Sequence, residues 1–404
     1  MTVIVDKPYR FVPPHRGNLW PWSIQRLRLV DLYLRWHDGV VSHECRHLDR
    51  FESSLAAGDA ILLAPNHCRY ADPLTLGWPA REVGVHVHAI ASWHLFAKSW
   101  LDAFAIQKMG GFSLFREGPD RQSLETAIEI LAKADRPLII FPEGTTNRTN
   151  DVLQPLLDGV AFIARTAAKR RAKESGGRVV VHPVGIKYLF KGDIEEWGGS
   201  AAADLEQRLG WRPRNGVGLI ARIESLAEAL LATRETLYLG RAQSGPLADR
   251  RNQLVEHLLS KAEAQYDLGL DIPANPLGRV RRLRSALYPR LQGSVDQAGK
   301  VPLYQSIDAI EFAQQLYSYP DRYLLSRPVT DTQILETLER MQEGFIGRSS
   351  HPGPLHAVIE FGEAIPVGLE RVPKGVTDPV MDGIQTCLQA MLARLATEAK
   401  VIVV

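Results

Sequence analysis

Between residues 60 and 190, short apolar runs alternate with stretches of helical periodicity, and few folds accommodate that rhythm. The runs are Ala60–Ala64, Val83–Ala89, Met109–Arg116, Pro137–Phe141 and Arg178–Ile186, the last expected to break at Pro183. Between them lie a segment rich in Trp93, Leu95, Phe96 and Trp100, a helix over 120–133 with Leu124, Ile128 and Leu131 on one face, and a helix over about 159–173. Strands interleaved with helices argue for an α/β fold with a mixed, largely parallel sheet flanked by helices. In such sheets, ligands gather beyond the carboxyl ends of the strands. Asn66 and His67, Arg116, and Glu143 with Gly144 all sit at or just after such ends.

The first of these ends carries the most chemistry. The run Ala60–Ala64 stops at Pro65 and delivers Asn66 and His67 into a turn; Asp72 lies five residues past the histidine, and Pro73 suits a first helical turn. A histidine with a carboxylate in reach is either a general base with its orienting partner or a satisfied surface pair. The serine-esterase pattern GxSxG is absent, because Gly111-Phe112-Ser113 is followed by Leu114 and Phe115. Cys68 adjoins the histidine. His43, Cys45 and His47 share one face of a strand expected over 39–51 and imitate a metal cluster. They lack a fourth ligand at suitable spacing, so no metal is expected.

The flanks have a different character. Residues 1–37 form an irregular arm and one amphipathic helix, in which Trp20, Trp22 and Trp36 accompany Arg26, Arg28 and Arg35. Such a helix either rests in a lipid headgroup layer or docks on the core by the same face. Residues 38–190 are the core, and 191–354 a long, mostly helical insertion with helices near 219–239, 247–266, 306–318 and 331–345. Thr330 with Gln333 makes a capping box for the last of these. Arg279, Arg281, Arg282 and Arg284 are expected on a solvated face. Residues 355–404 return to strand character at Val358–Phe361, expected to rejoin the first sheet, and end in a helix over about 378–398.

The 404 residues are 45% hydrophobic and 23% charged, which suits a folded globular chain. A net charge of +2 without a basic tail or zinc-finger spacing offers nothing to nucleic acid. Three scattered cysteines suggest a reducing, cytoplasmic setting. Neither a secretory signal nor a run of about twenty apolar residues is visible, so membrane contact is expected to be peripheral, on the cytoplasmic face.

Four blocks, in order, resemble the PlsC-type glycerolipid acyltransferase family, whose members are 1-acyl-sn-glycerol-3-phosphate acyltransferase-like. Asn66-His67-Cys68-Arg69-Tyr70-Ala71-Asp72 is similar to its NHxxxxD motif, Gly110–Arg116 to its glycine-to-arginine block, Phe141-Pro142-Glu143-Gly144-Thr145 to FPEGT, and Val181–Ile186 to its proline-centred block. Phe361–Ile365 looks like its closing strand, and the resemblance covers about 45–200 and 355–400. It implies an acyltransferase that takes a fatty acyl group from acyl-CoA or acyl-carrier protein to a lysophospholipid hydroxyl, with no bound cofactor, no metal and no covalent acyl-enzyme. By the same resemblance His67 and Asp72 are catalytic, and Asn66, Arg116, Glu143, Gly144, Thr145, Arg148 and Pro183 bind substrate, Pro183 by shaping the acyl-side wall.

Two departures bear on the acceptor. Thr146 stands where the family commonly has arginine, with Arg148 two residues on. A family stretch that often carries lysine reads here Pro155-Leu156-Leu157-Asp158-Gly159. Loss of positive charge there opens a second reading, an acyltransferase for a non-phosphorylated or amino-lipid acceptor. A third, from another class, is a non-catalytic lipid-binding or scaffolding protein, against which any acyl transfer or acyl-CoA hydrolysis would count.

Overall fold

The computed structural model describes residues 7–268, 275–293, 296–319, 323, 328–347, 349, 353–370, 372–373 and 375–402. Parts of the expected outer segments, residues 1–6 and 403–404, lie outside these. The strands are β1 Val40–Arg46, β2 Ala60–Pro65, β3 His88–Ser92, β4 Gly111–Leu114, β5 Leu138–Ile139, β6 Val179–Phe190, β7 Val329–Thr330, β8 Leu355–Phe361, β9 Ile365–Pro366 and β10 Val401–Ile402. The main sheet runs β1-β8-β6-β2-β5-β3-β4, with β9 also on β6. β6, β2, β5, β3 and β4 are mutually parallel, whereas β8 and β9 run antiparallel to β6, and β1 follows β8. This is the mixed, mostly parallel sheet expected, and Val358–Phe361 does rejoin it.

β2 is apolar along its whole length because both faces of the sheet are covered. Alternating side chains divide between them. Ile61 and Leu63 pack with Val184, Ile186, Leu205, Ile223 and Leu338, whereas Ala60, Leu62 and Ala64 pack with Ile128, Ala164, Val181 and Leu388. The second face is covered by helices Arg121–Lys133, Gly159–Ser175 and Pro379–Ala396. The first is covered by Ile194–Arg208, Leu219–Leu239 and Asp331–Ile346, so the ends of the insertion belong to the sheet's own core. Its middle helices, Leu247–Gln265, Pro276–Gln292 and Gln297–Tyr317, build a separate apolar cluster around Leu258, Leu283 and Ile310. The Thr330–Gln333 capping box is present.

Several expectations need correction. The N-terminal helix is two, Leu19–Arg26 and Leu29–His37, because Arg28 takes a left-handed conformation (φ 52°). The strand expected over 39–51 ends at Arg46, and Leu48–Ala56 is a helix. The third strand starts only at His88, where pairing to β5 begins; Val83–Val87 follows a helix ending at Glu82. β6 passes through Pro183 unbroken. Opposite Pro183 the antiparallel neighbour is interrupted between β8, paired at Val184, and β9, paired at Val181, so the absent N–H forfeits no ladder bond.

Of the arginine cluster, Arg281 is exposed as expected, but Arg279 and Arg284 do not lie on a solvated face. The cluster rides on Pro276–Gln292, where Arg279 is buried against Glu263 and Glu256, and Arg284 pairs with Glu117 and Glu311. A similar buried pair ties the insertion to the motif turn: the Arg69 guanidinium is 2.6 Å from the Glu339 carboxylate, with both side chains almost wholly enclosed. Removing one partner of such a pair strands a buried charge and typically costs about 3–5 kcal/mol. Glu339→Ala should therefore lower the denaturant midpoint substantially, measured by urea unfolding, whereas loss of the exposed Arg208–Asp204 pair should change it by less than about 1 kcal/mol.

Candidate active site

β2 is the element that aims the chemistry. At its end the Asn66 amide accepts from the Ile186 N–H (2.6 Å) and donates to the Ile186 carbonyl (3.0 Å), locking the turn onto β6. Both ends of that amide are consumed, and Asn66 is buried and does not line the cavity. Pro183 is likewise buried within β6 and does not line the cavity as an acyl-side wall.

The lock delivers His67, whose Nδ1 lies 2.9 Å from Asp72 Oδ2. The Asp72 carboxylate is fully buried and also accepts from the Tyr188 hydroxyl (2.7 Å) and the Arg69 backbone N–H (2.8 Å). Burial, reinforced by the Asp72 charge, holds the Tyr188 phenol well above its ordinary pKa, so it stays a donor. Burial and the same carboxylate also raise the Cys68 thiol, which remains neutral beside Asn150 and Ile186 and is no nucleophile. With Nδ1–H given to Asp72, Nε2 carries the free lone pair. That nitrogen is 2.9 Å from the Thr146 hydroxyl, and the ring stacks on Phe141 with centroids 4.1 Å apart.

The loop after β5 is held by Glu143. One carboxylate oxygen accepts from the His67 backbone N–H (2.6 Å), the other from the Asn147 amide (2.7 Å) and the Gln154 N–H (3.0 Å). Glu143 borders the cavity, yet its carboxylate is spent on tying loop to turn. Gly144 follows at φ +68°, a left-handed conformation that favours glycine, and a Cβ there would also push against Leu157 Cδ1 at 2.4 Å. Gly110 is as constrained, since at φ +96° a Cβ would strike the Val87 carbonyl at 2.3 Å. It starts the turn into β4, beyond which Arg116 reaches across.

Arg116 donates from Nε to the Ser92 hydroxyl (2.9 Å) and from a terminal nitrogen to the Gly144 carbonyl (2.5 Å). The protein around it and the nearby Arg284 guanidinium lower its pKa to about 10, which leaves it charged at neutral pH. The adjacent carboxylates Glu117 and Glu311 are held by Arg284, so Arg116 has no carboxylate partner among the described residues. Arg148 differs: it also lines the cavity, but its guanidinium is engaged by Glu343 of the insertion and lies over the Tyr70 ring. Thr145 also faces the insertion, accepting from the Gln314 amide at 3.0 Å.

These groups open on a cavity of about 1830 Å³, well beyond the volume of a typical drug-sized site, about 300–1,000 Å³. His67, Arg116 and Thr146 line it beyond the carboxyl ends of β2, β4 and β5. Ile24, Tyr33 and Leu95 form an apolar wall on one side, and Leu230, Val280 and Phe312 of the insertion form another. Sequence reasoning missed Ser92, Gln314 and the Glu339–Glu343 face, which no spacing in the core motifs announces. His47 leaves the expected metal-like face to precede a helix, and Glu82 takes its place: His43, Cys45 and Glu82 bring ligand atoms within 4.8 Å of one another, away from the cavity.

Residues 45–187 match the family model described as Acyltransferase. Over that region the chain is similar to the acyltransferase family. A 1-acyl-sn-glycerol-3-phosphate acyltransferase of Limnanthes douglasii is 24% identical over 194 residues, 44% of this chain. The match spans 66% of that relative, just short of two-thirds of its length. No solved structure matches.

Burial raises the Glu143 pKa to about 7 from an ordinary 4.5, against the opposing pull of its three donors. The folded state thus keeps a proton there that the unfolded chain has lost. The stability contributed by this group is full below about pH 4.5 and declines as pH rises towards 7. Thermal unfolding of Glu143→Gln followed across that window should show a shallower fall of Tm with pH than the parent protein.

Proposed function

We propose that this protein moves a fatty acyl group from an acyl-CoA or acyl-carrier-protein thioester to the hydroxyl of a lysophospholipid such as 1-acylglycerol 3-phosphate. The observation that carries this reading is the cavity-facing Nε2 of His67, held in its tautomer by a buried Asp72. The acceptor hydroxyl gives its proton to Nε2 as its oxygen bonds to the thioester carbon. Asp72 steadies the imidazolium, and collapse of the tetrahedral species breaks the C–S bond while the proton passes to the departing thiolate. The name of the plant relative agrees with this acceptor.

Arg116 suits a phosphate: it is a fork of donors without a carboxylate partner among the described residues, hydrogen-bonded to the carbonyl of Gly144, two residues before Thr146. The engagement of Arg148 by Glu343 favours a second reading, in which the acceptor is non-phosphorylated or an amino-lipid. His67→Ala should cut acyl transfer by about 10²–10⁴-fold with an unchanged circular dichroism spectrum; full activity would refute the base. Arg116→Ala should raise the KM for lysophosphatidate and leave that for a neutral lipid alcohol unchanged. An equal effect on both would favour the second reading.

Access from a lipid surface follows from the same wall. The N-terminal helices expose Trp22, Leu32 and Trp36, and Trp100 lies exposed on the nearby helix Trp100–Lys108, whose Phe104 ring packs edge-on against Trp20. Among the described residues no helix is long and apolar enough to cross a membrane. The paired replacement Trp22→Ser with Trp36→Ser should reduce co-sedimentation with anionic phospholipid vesicles while preserving transfer to a detergent-dispersed acceptor.

A further inference from the structure

The hydroxyl of Thr146 occupies the position on His67 that an acceptor hydroxyl must take. Its Oγ1 is 2.9 Å from Nε2, while Nδ1 is committed to Asp72, so the Thr146 O–H donates into the lone pair that would receive a substrate proton. We propose that Thr146 is a specificity-determining placeholder: it caps the base in the resting enzyme, yields to the acceptor hydroxyl, and so restrains hydrolysis of the bound acyl thioester by water. The proposal rests on the acyl-transfer reading.

A thioester beside a free imidazole invites water to compete with the intended acceptor. Here water must displace a neighbouring hydroxyl already in hydrogen-bond contact, and it brings only the equivalent bond in exchange. An acceptor held elsewhere in the cavity, as by Arg116, loses nothing by the same exchange because its binding comes from its other contacts. Thr146 can yield, since it is only half-buried, its hydroxyl turns about one side-chain bond, and the loop itself is anchored independently by Glu143. The adjoining Asn147 N–H to His67 carbonyl bond (2.8 Å) keeps the two backbones in register while the side chain moves. A threonine suits the place, because its methyl limits the rotamers through which the hydroxyl leaves and returns.

Thr146 does not need to be a nucleophile for this, although its place beside His67 and Asp72 resembles one. Attack by its oxygen would leave an acyl ester on the residue, and that product is directly observable. The two roles therefore separate by experiment.

The test compares the full-length protein with Thr146→Val and Thr146→Ser, using palmitoyl-CoA with and without lysophosphatidate, and with a neutral lipid alcohol as a second acceptor. Free CoA reports total turnover, and the labelled lipid product reports transfer. Losing one neutral hydrogen bond at the base should raise acceptor-free hydrolysis by about 3–10-fold in Thr146→Val, so that the hydrolysis-to-transfer ratio rises. Thr146→Ser, which keeps the hydroxyl, should restore the parent ratio; a purely structural role for Thr146 would not produce this split. An unchanged ratio in a folded Thr146→Val overturns the placeholder alone. So does an acyl adduct on Thr146 seen by mass spectrometry of the acceptor-starved enzyme, which would make it a nucleophile. A parent protein that neither transfers nor hydrolyses overturns the acyl-transfer reading, and the placeholder with it.

Discussion

A carboxylate with no access to water, Asp72, is the group on which the rest of this arrangement depends. A buried charge is tolerable only when surrounding donors replace its hydration. Here they are the His67 imidazole, the Tyr188 hydroxyl and the Arg69 backbone N–H, which come from the motif turn and from β6. Meeting that requirement sets the orientation of the imidazole and requires β6 to continue past Pro183 as far as Tyr188. It also explains why Asn66 is spent on Ile186: the clamp keeps turn and strand at the spacing the carboxylate needs.

The insertion is bound to the same turn by charge. Arg69 meets Glu339, and Arg148 meets Glu343, one helical turn along Asp331–Ile346. Arg284 of the middle helices meets Glu117 just after Arg116. These pairs are enclosed, so they favour one docking geometry strongly over others, whatever their net contribution to stability. The consequence for the cavity is that cations near the base differ in availability. Arg148 is consumed by the insertion, whereas Arg116 is left with neutral partners because Arg284 holds the nearby carboxylates.

Much of the fold was legible before the structure. Apolar runs at 60–64 and 138–139, the helices at 121–133 and 219–239, and the capping box at Thr330 follow from local periodicity and end chemistry, which act within a few residues. Several misreadings share a cause: they turned on a distant neighbour. Pro183 is harmless because a gap between β8 and β9 faces it, and Arg279 and Arg284 are enclosed because glutamates from other segments reach them. Arg28 splits the N-terminal helix through a left-handed residue that hydrophobic periodicity does not register.

By itself the sequence determined the strand–helix rhythm and the presence of a histidine and a carboxylate at one strand end. Those properties depend on local sterics and on spacing along the chain. Only the tertiary structure decided that Asn66 and Glu143 build the turn, that Arg148 serves the insertion, and that Thr146 reaches the free nitrogen of His67. Each of these depends on which hydrogen-bond partners lie within about 3 Å once segments far apart in the chain have packed, a distance no motif encodes.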